Sequence, residues 1–227
     1  IFTGGTGLYF KALLKGLAPV PEIPAEVRNA LRRRLGAEGV ESLYRELEKR
    51  DPAMAKSLKP NDGQRILRAL EVATATGTSL RDWQRQAGKG ILEGKPALKV
   101  CLTLPRPLLE ARIRSRLERM VAKGALAEVE ALRRKNLSAE LPAMKALGVR
   151  PLLRHIQGEI SIEEAVNFAV IESRRYAKRQ MTWFRNQFPD WTFLPAEPGP
   201  LSAVLGLAEK AFRAPIKRPI RRAKAGP

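Results

Sequence analysis

Cysteine, histidine and acidic side chains are scarce in this chain. The single cysteine, Cys101, sits in an apolar run, which excludes an internal disulfide and fits a reducing compartment; its simplest role is that of a small buried hydrophobe. One histidine and one cysteine leave no protein site for zinc. The histidine, His155, falls one turn after Arg150 and Pro151 and reads as a helix-surface or half-buried residue rather than a base. No apolar run approaches the roughly 20 residues of a membrane span, so no membrane partner is expected. Acid is short relative to base, 23 Asp and Glu against 42 Lys and Arg, and the net charge of +19 is spread along the sequence. That excess points to nucleic acid first and an anionic membrane surface second. There are no internal repeats, and 227 residues allow one sizeable core or two modest ones.

What is present begins with a glycine turn. Ile1-Phe2 runs into Thr3-Gly4-Gly5-Thr6-Gly7, which reads as a strand end, a turn and a helix start, so the first residue is expected to lie mid-element with further residues upstream. Glycines there let backbone N–H groups approach an anion at a helix N-terminus. Pro19, Pro21 and Pro24 then mark a linker. From Ala25 to Gln86 the apolar spacing is wholly helical, broken at Asp51-Pro52 and at Asn61-Asp62-Gly63, with Asp62 placed as an N-cap and Arg65 and Arg68 behind it. After a loop from Gly88 to Pro96, Ala97 to Leu104 reads as a buried strand. The predicted order is thus core for 1–18, a helical insertion for 19–96, α/β core for 97–214 and a disordered basic tail for 215–227.

Two basic faces follow. After Pro105 and Pro107 a helix carries Arg112, Arg116 and Arg119 at i, i+4 and i+7, one row of guanidiniums that spacing alone reads equally as a solvated face or a site. A longer helix is predicted from about Ser161 to Phe188, its Val166, Val170, Ala177, Met181 and Phe184 facing a core. Beside that stripe Arg174, Lys178 and Arg185 lie within about 45° of one another, with Arg175 and Arg179 in a second row. Like charges so spaced cost a few tenths of a kcal/mol per pair, roughly, with no gain to an isolated helix. A polyanion would relieve that cost, and Gln180, Thr182 and Trp183 add hydrogen-bonding and stacking groups to the face. Trp191 to Leu194 reads as a last strand and Leu201 to Ala214 as a closing helix.

The segment Lys178 to Arg185, Lys-Arg-Gln-Met-Thr-Trp-Phe-Arg, resembles the C-terminal motif of the tRNA dimethylallyltransferases, which prenylate the adenine beside the anticodon. Four more segments resemble the same family in the right order: Gly4 to Leu17, Pro60 to Val72, Ala111 to Val129, and the loop from Leu141 to Arg150. In that loop Val149 stands where Tyr is usual and Pro151 where Glu or Gln is usual. The resemblance implies an α/β fold with a P-loop NTPase-like core and a helical insertion, dimethylallyl diphosphate as substrate with Mg²⁺, a tRNA anticodon stem-loop as partner, a monomer when complete and a cytoplasmic location. It assigns Arg116 to the diphosphate, makes Gly4, Gly5 and Thr6 a candidate active-site turn, and gives Gln64, Arg65, Arg68, Lys145, Arg150, Lys178, Arg179, Gln180, Thr182, Trp183 and Arg185 to tRNA. The family's G-x-x-x-x-G-K-[ST] loop and the Asp of its D-S-x-Q motif are absent from these residues, and neither the general base nor a metal ligand is assigned here; Asp51, Asp62 and Asp82 are not promoted to that role. The alternatives are a tRNA-binding module without catalysis and a general basic RNA- or DNA-binding protein.

Overall fold

The computed structural model describes residues 1–86, 88–139, 141–197 and 199–212, so the basic tail expected at 215–227 lies outside the described residues. The fold is α/β and mostly helical. It divides into two compact units, one of Leu8–Lys95 and one of Ile1–Gly7 with Pro96–Pro227.

The helical unit is built from α1 (Gly7–Lys15), α2 (Ala25–Arg50), α3 (Pro52–Ala55), α4 (Gly63–Thr76) and α5 (Leu80–Arg85). The two breaks predicted from sequence carry caps, Asp51 accepting from the Met54 N–H and Asp62 from the Arg65 N–H; a further cap not expected from sequence is Ser79, which accepts from the Arg81 N–H. Within α2 the chain kinks at Gly39, whose φ of 80° and ψ of 170° end one helix and start another. Leu43 and Leu47 of the second half and Ile66, Ala69, Leu70 and Val72 of α4 have no exposure at all and form the core. Helix α1, read from sequence as part of the α/β core, groups instead with this unit. The reason is backbone contact: Leu92 N–H donates to Leu13 O at 2.8 Å, and a Cβ at Gly88 would lie 1.9 Å from Leu17 O.

The second unit holds β1 (Val100–Thr103), α6 (Arg106–Ala122), α7 (Ala125–Arg134), a 3₁₀ turn at Pro142–Lys145, α8 (Val149–Ile156), α9 (Ile162–Gln187), β2 (Thr192–Pro195) and α10 (Leu201–Phe212). Strands β1 and β2 pair in parallel with Val100 opposite Thr192 and Thr103 opposite Pro195, joined by the α6 to α9 crossover. Thr103 Oγ1 donates to Leu194 O at 3.1 Å, and Lys99 pairs with Asp190 at 3.2 Å, tying the two strands further. The expectation of a buried strand holds for one face only. Cys101 is buried while Leu102 is 49% exposed, because successive strand side chains point to opposite faces and only one face is covered by described residues. The strand end expected at Ile1-Phe2 is not a strand either: both side chains are exposed and the only strand pairing among the described residues is β1 with β2.

Helix α9 organises this unit. Its start is a capping box in which Ser161 Oγ accepts from the Glu164 N–H and the Glu164 carboxylate accepts from the Ser161 N–H. Its buried stripe packs twice: Val166, Ala169 and Val170 meet Ile113 and Leu117 of α6, while Ala165 meets Ala125, Val129 and Leu152. Phe184 near its C-terminus is buried with Phe188 and Trp191, the last two stacked at 4.6 Å between centroids and 14° between planes.

Candidate nucleic-acid and diphosphate site

The packing of α9 leaves its cations outside. Arg175, Lys178, Arg179, Thr182 and Arg185 are exposed, and none of the four cations makes an ion pair among the described residues. Arg179 lies over the Tyr176 ring at 5.8 Å, a contact that orders its guanidinium without neutralising it. Arg174 differs, donating to Glu110 of α6 at 3.1 Å. Removing Arg174 from the five-cation face still leaves four adjacent unpaired charges, an arrangement that attracts a polyanion.

On α6 the predicted row of three guanidiniums splits. Arg112 forms an ion pair with Glu197. Arg116 and Arg119 stay free of carboxylates among the described residues and, with Lys123, Met120, Ala125 and Glu128, line an open groove of about 380 Å³ between α6 and the start of α7. Three cations against one acid make that groove a place for a polyanionic group, with guanidinium forks suited to phosphate oxygens. Lys123 was missed from sequence. The signal was there, because Lys123 continues the row from Arg112 at i+11, one further turn of the same helix.

The glycine turn meets α9. Gln180 Nε2 donates to Gly5 O at 2.9 Å, and a Cβ at Gly7 would fall 2.0 Å from the Trp183 ring. Gly4, Gly5 and Thr6 are exposed. Gln180 and Trp183, assigned to tRNA by resemblance, are therefore engaged with the protein's own backbone, and Trp183 is further held edge-on to Phe184 and Phe188.

Of the remaining assigned residues, Arg150 is exposed in the first turn of α8 and Lys145 is exposed in the 3₁₀ turn before it. Val149, in place of the usual Tyr, packs beside Leu152 in a small core, and Pro151 is buried in the first turn of α8, where a missing N–H costs nothing. His155 Nδ1 is 3.0 Å from Ile160 O and half-buried. Gln64, Arg65 and Arg68 lie on α4 in the helical unit; Arg65 pairs with Asp62 and Arg68 with Glu71, each at 3.4 Å. Burial pushes the Cys101 thiol pKa up, partly offset by the Arg185 charge nearby. Among the described residues no three His, Cys, Asp or Glu side chains converge as metal ligands.

The IPP transferase family profile matches residues 1–187. The chain belongs to the IPP transferase family. Among its relatives, a tRNA dimethylallyltransferase of Nitrobacter hamburgensis is 50% identical over 207 residues, covering 90% of this chain and 65% of that protein. One of Rhodopseudomonas palustris is 50% identical over 197 residues, covering 87% of this chain and 61% of that one. The chain thus spans a little under two-thirds of the length of these curated relatives. The crystal structure of a full-length tRNA isopentenylpyrophosphate transferase from Bacillus halodurans superposes with a TM-score of 0.52 at 27% identity, covering 92% of this chain and 65% of that one. A eukaryotic dimethylallyltransferase acting on tRNA gives a TM-score of 0.69 at 22% identity, covering 95% of this chain and 57% of that one, a likeness of fold alone. As in those IPP transferases, the α/β core is of the P-loop NTPase-like class.

Proposed function

We propose that this IPP transferase chain takes part in transferring a dimethylallyl group from dimethylallyl diphosphate to N6 of adenine 37, beside the anticodon of tRNA. The observation that carries the reading is the pair of unneutralised basic surfaces in one unit, the α9 rows and the Arg116 groove, in a chain 50% identical to proteins named tRNA dimethylallyltransferase. Two polyanions need two such surfaces.

The reaction joins N6 to the allylic carbon, breaks that carbon's bond to the diphosphate oxygen, and releases diphosphate and one proton. Charge grows on the leaving diphosphate, so cations fixed beside it act on the transition state more than on the bound donor. Arg116 is assigned that part, with Arg119 and Lys123 on the same groove. The target adenine must leave its stack to be reached. Exposed Lys178, Arg179, Arg185, Arg150 and Lys145, together with Gln64, Arg65 and Arg68 of the helical unit, are the candidates for holding the stem-loop phosphates and so offsetting the cost of unstacking.

None of the three aspartates of the helical unit is assigned to take the N6 proton. Asp51 and Asp62 cap α3 and α4, and Asp82 pairs with Arg85 at 3.2 Å. Mg²⁺, implied by the resemblance, finds no ligand set of three or more His, Cys, Asp or Glu side chains among the described residues. A tRNA substrate fits a cytoplasmic location, and a monomer suffices for the surfaces described. The test is to supply dimethylallyl diphosphate, Mg²⁺ and an anticodon stem-loop bearing adenine 37, and to assay for N6-dimethylallyladenosine. Stem-loop binding without any modified base would favour a non-catalytic RNA-binding protein.

A further inference from the structure

Helix α9 presents two kinds of side chain with opposite employment. Lys178, Arg179 and Arg185 are exposed and unpaired among the described residues, whereas Gln180 and Trp183, interleaved with them, meet the glycine turn. Gln180 donates its amide N–H to Gly5 O at 2.9 Å. Trp183 covers Gly7 so closely that any Cβ there would fall inside the ring's contact distance, and its ring makes T-shaped contacts with Phe184 and Phe188. One Gln180 amide hydrogen is thus committed to the turn, and the half-buried Trp183 ring packs against it. They are well placed to set where the turn lies.

Resting on the function proposed above, we infer that Gln180 and Trp183 are positioning residues that hold the Gly4-Gly5-Thr6 turn in place for the diphosphate donor, and are not RNA ligands. The absence of side chains at Gly5 and Gly7 is what admits them. Neither glycine has a left-handed backbone, so close approach is the only demand the structure makes on these two positions. The turn's own backbone has no strand beside it, which leaves the α9 contacts as its tether among the described residues.

The experiment compares Gln180→Met, which keeps the volume and removes the donor, with Gly5→Ala, whose Cβ would meet Gln180 Nε2 at 2.3 Å and push the amide away. Both variants should make the turn more mobile, read as lower backbone N–H order parameters at Gly5 to Gly7. In the transfer assay both should lower kcat/KM for the donor about five- to tenfold, leave stem-loop affinity and its salt slope within about twofold of the unaltered protein, and fail to add when combined. Unchanged order parameters overturn the inference, as does stem-loop affinity falling in step with turnover, the mark of an RNA ligand. A loosened turn with unchanged donor kinetics overturns it too. If the unaltered protein transfers no dimethylallyl group, the proposed function fails while the order parameters still decide the tether.

Discussion

Arg68 Nη1 stands 3.4 Å from Glu71 Oε2, and Glu71 is only 5% exposed. A guanidinium that compensates a buried carboxylate is part of the helical unit's structure before it is anything else. Arg68→Ala should therefore destabilise the protein by about 1 to 3 kcal/mol, because it strands a buried charge. Arg65→Ala should cost less than about 0.5 kcal/mol, since its pair with Asp62 is mostly in water. Urea unfolding separates the two; equal stabilities would remove the structural role of Arg68.

Stem-loop binding should fall steeply with salt if the α9 cations neutralise phosphates. Each phosphate that a substitution leaves unneutralised takes roughly 0.7 to 0.9 from the slope of log affinity against log salt, so Lys178→Ala with Arg179→Ala should flatten it by about 1.5. Anisotropy titrations across a salt series measure this, and an unchanged slope would take α9 out of the RNA interface.

Arg116 and Arg112 share a helix face but not an environment, since Glu197 holds Arg112 and no described carboxylate holds Arg116. Arg116→Ala should depress turnover or raise the donor requirement by about tenfold or more, with stem-loop affinity near normal. Arg112→Ala should leave donor kinetics within about twofold, as expected of a surface ion pair. Steady-state kinetics of the two variants would expose a reversal of these roles.

The Cys101 thiol should alkylate slowly. Burial raises its pKa, so the thiolate appears only at higher pH than for a free thiol, and Arg185→Gln, by removing a nearby positive charge, should slow labelling about two- to threefold further. The sign for stability follows. A thiol pKa raised by folding contributes stability that is present in full below the unfolded value and lost as pH rises through that value toward the folded one. Iodoacetamide rates against pH check the first point, and faster labelling of Arg185→Gln would contradict it.

The α9 capping box can be tested directly. Ser161→Ala removes the acceptor for the Glu164 N–H and should cost about 1 kcal/mol, lowering the unfolding midpoint without changing the salt slope of RNA binding. A shifted slope would mean that the cap also sets where the basic rows sit.

Much of this was legible in the residues themselves. Periodicity and caps placed α9 between Ser161 and Phe188, Asp62 at the head of α4, and strands near Cys101 and Phe193, because helix pitch, strand alternation and side-chain capping are local and written in consecutive residues. Two basic faces and the family resemblance came from the same source. What faces those side chains was not legible. Glu197 neutralises Arg112, Glu110 engages Arg174, and Gly5, 175 positions away, occupies Gln180; helical spacing says which side chains share a face, but not what the fold sets opposite that face. The grouping of helix α1 with the helical unit was not legible for the same reason, its company decided by backbone contact with a loop more than 70 residues on. The sequence alone determined elements, caps and charge, all set by interactions within a few residues. The division of the cations into paired and free, and of α9 into residues that turn outward and residues that grip the glycine turn, was decided by tertiary packing, since electrostatic and hydrogen-bonding partners are chosen by distance in space.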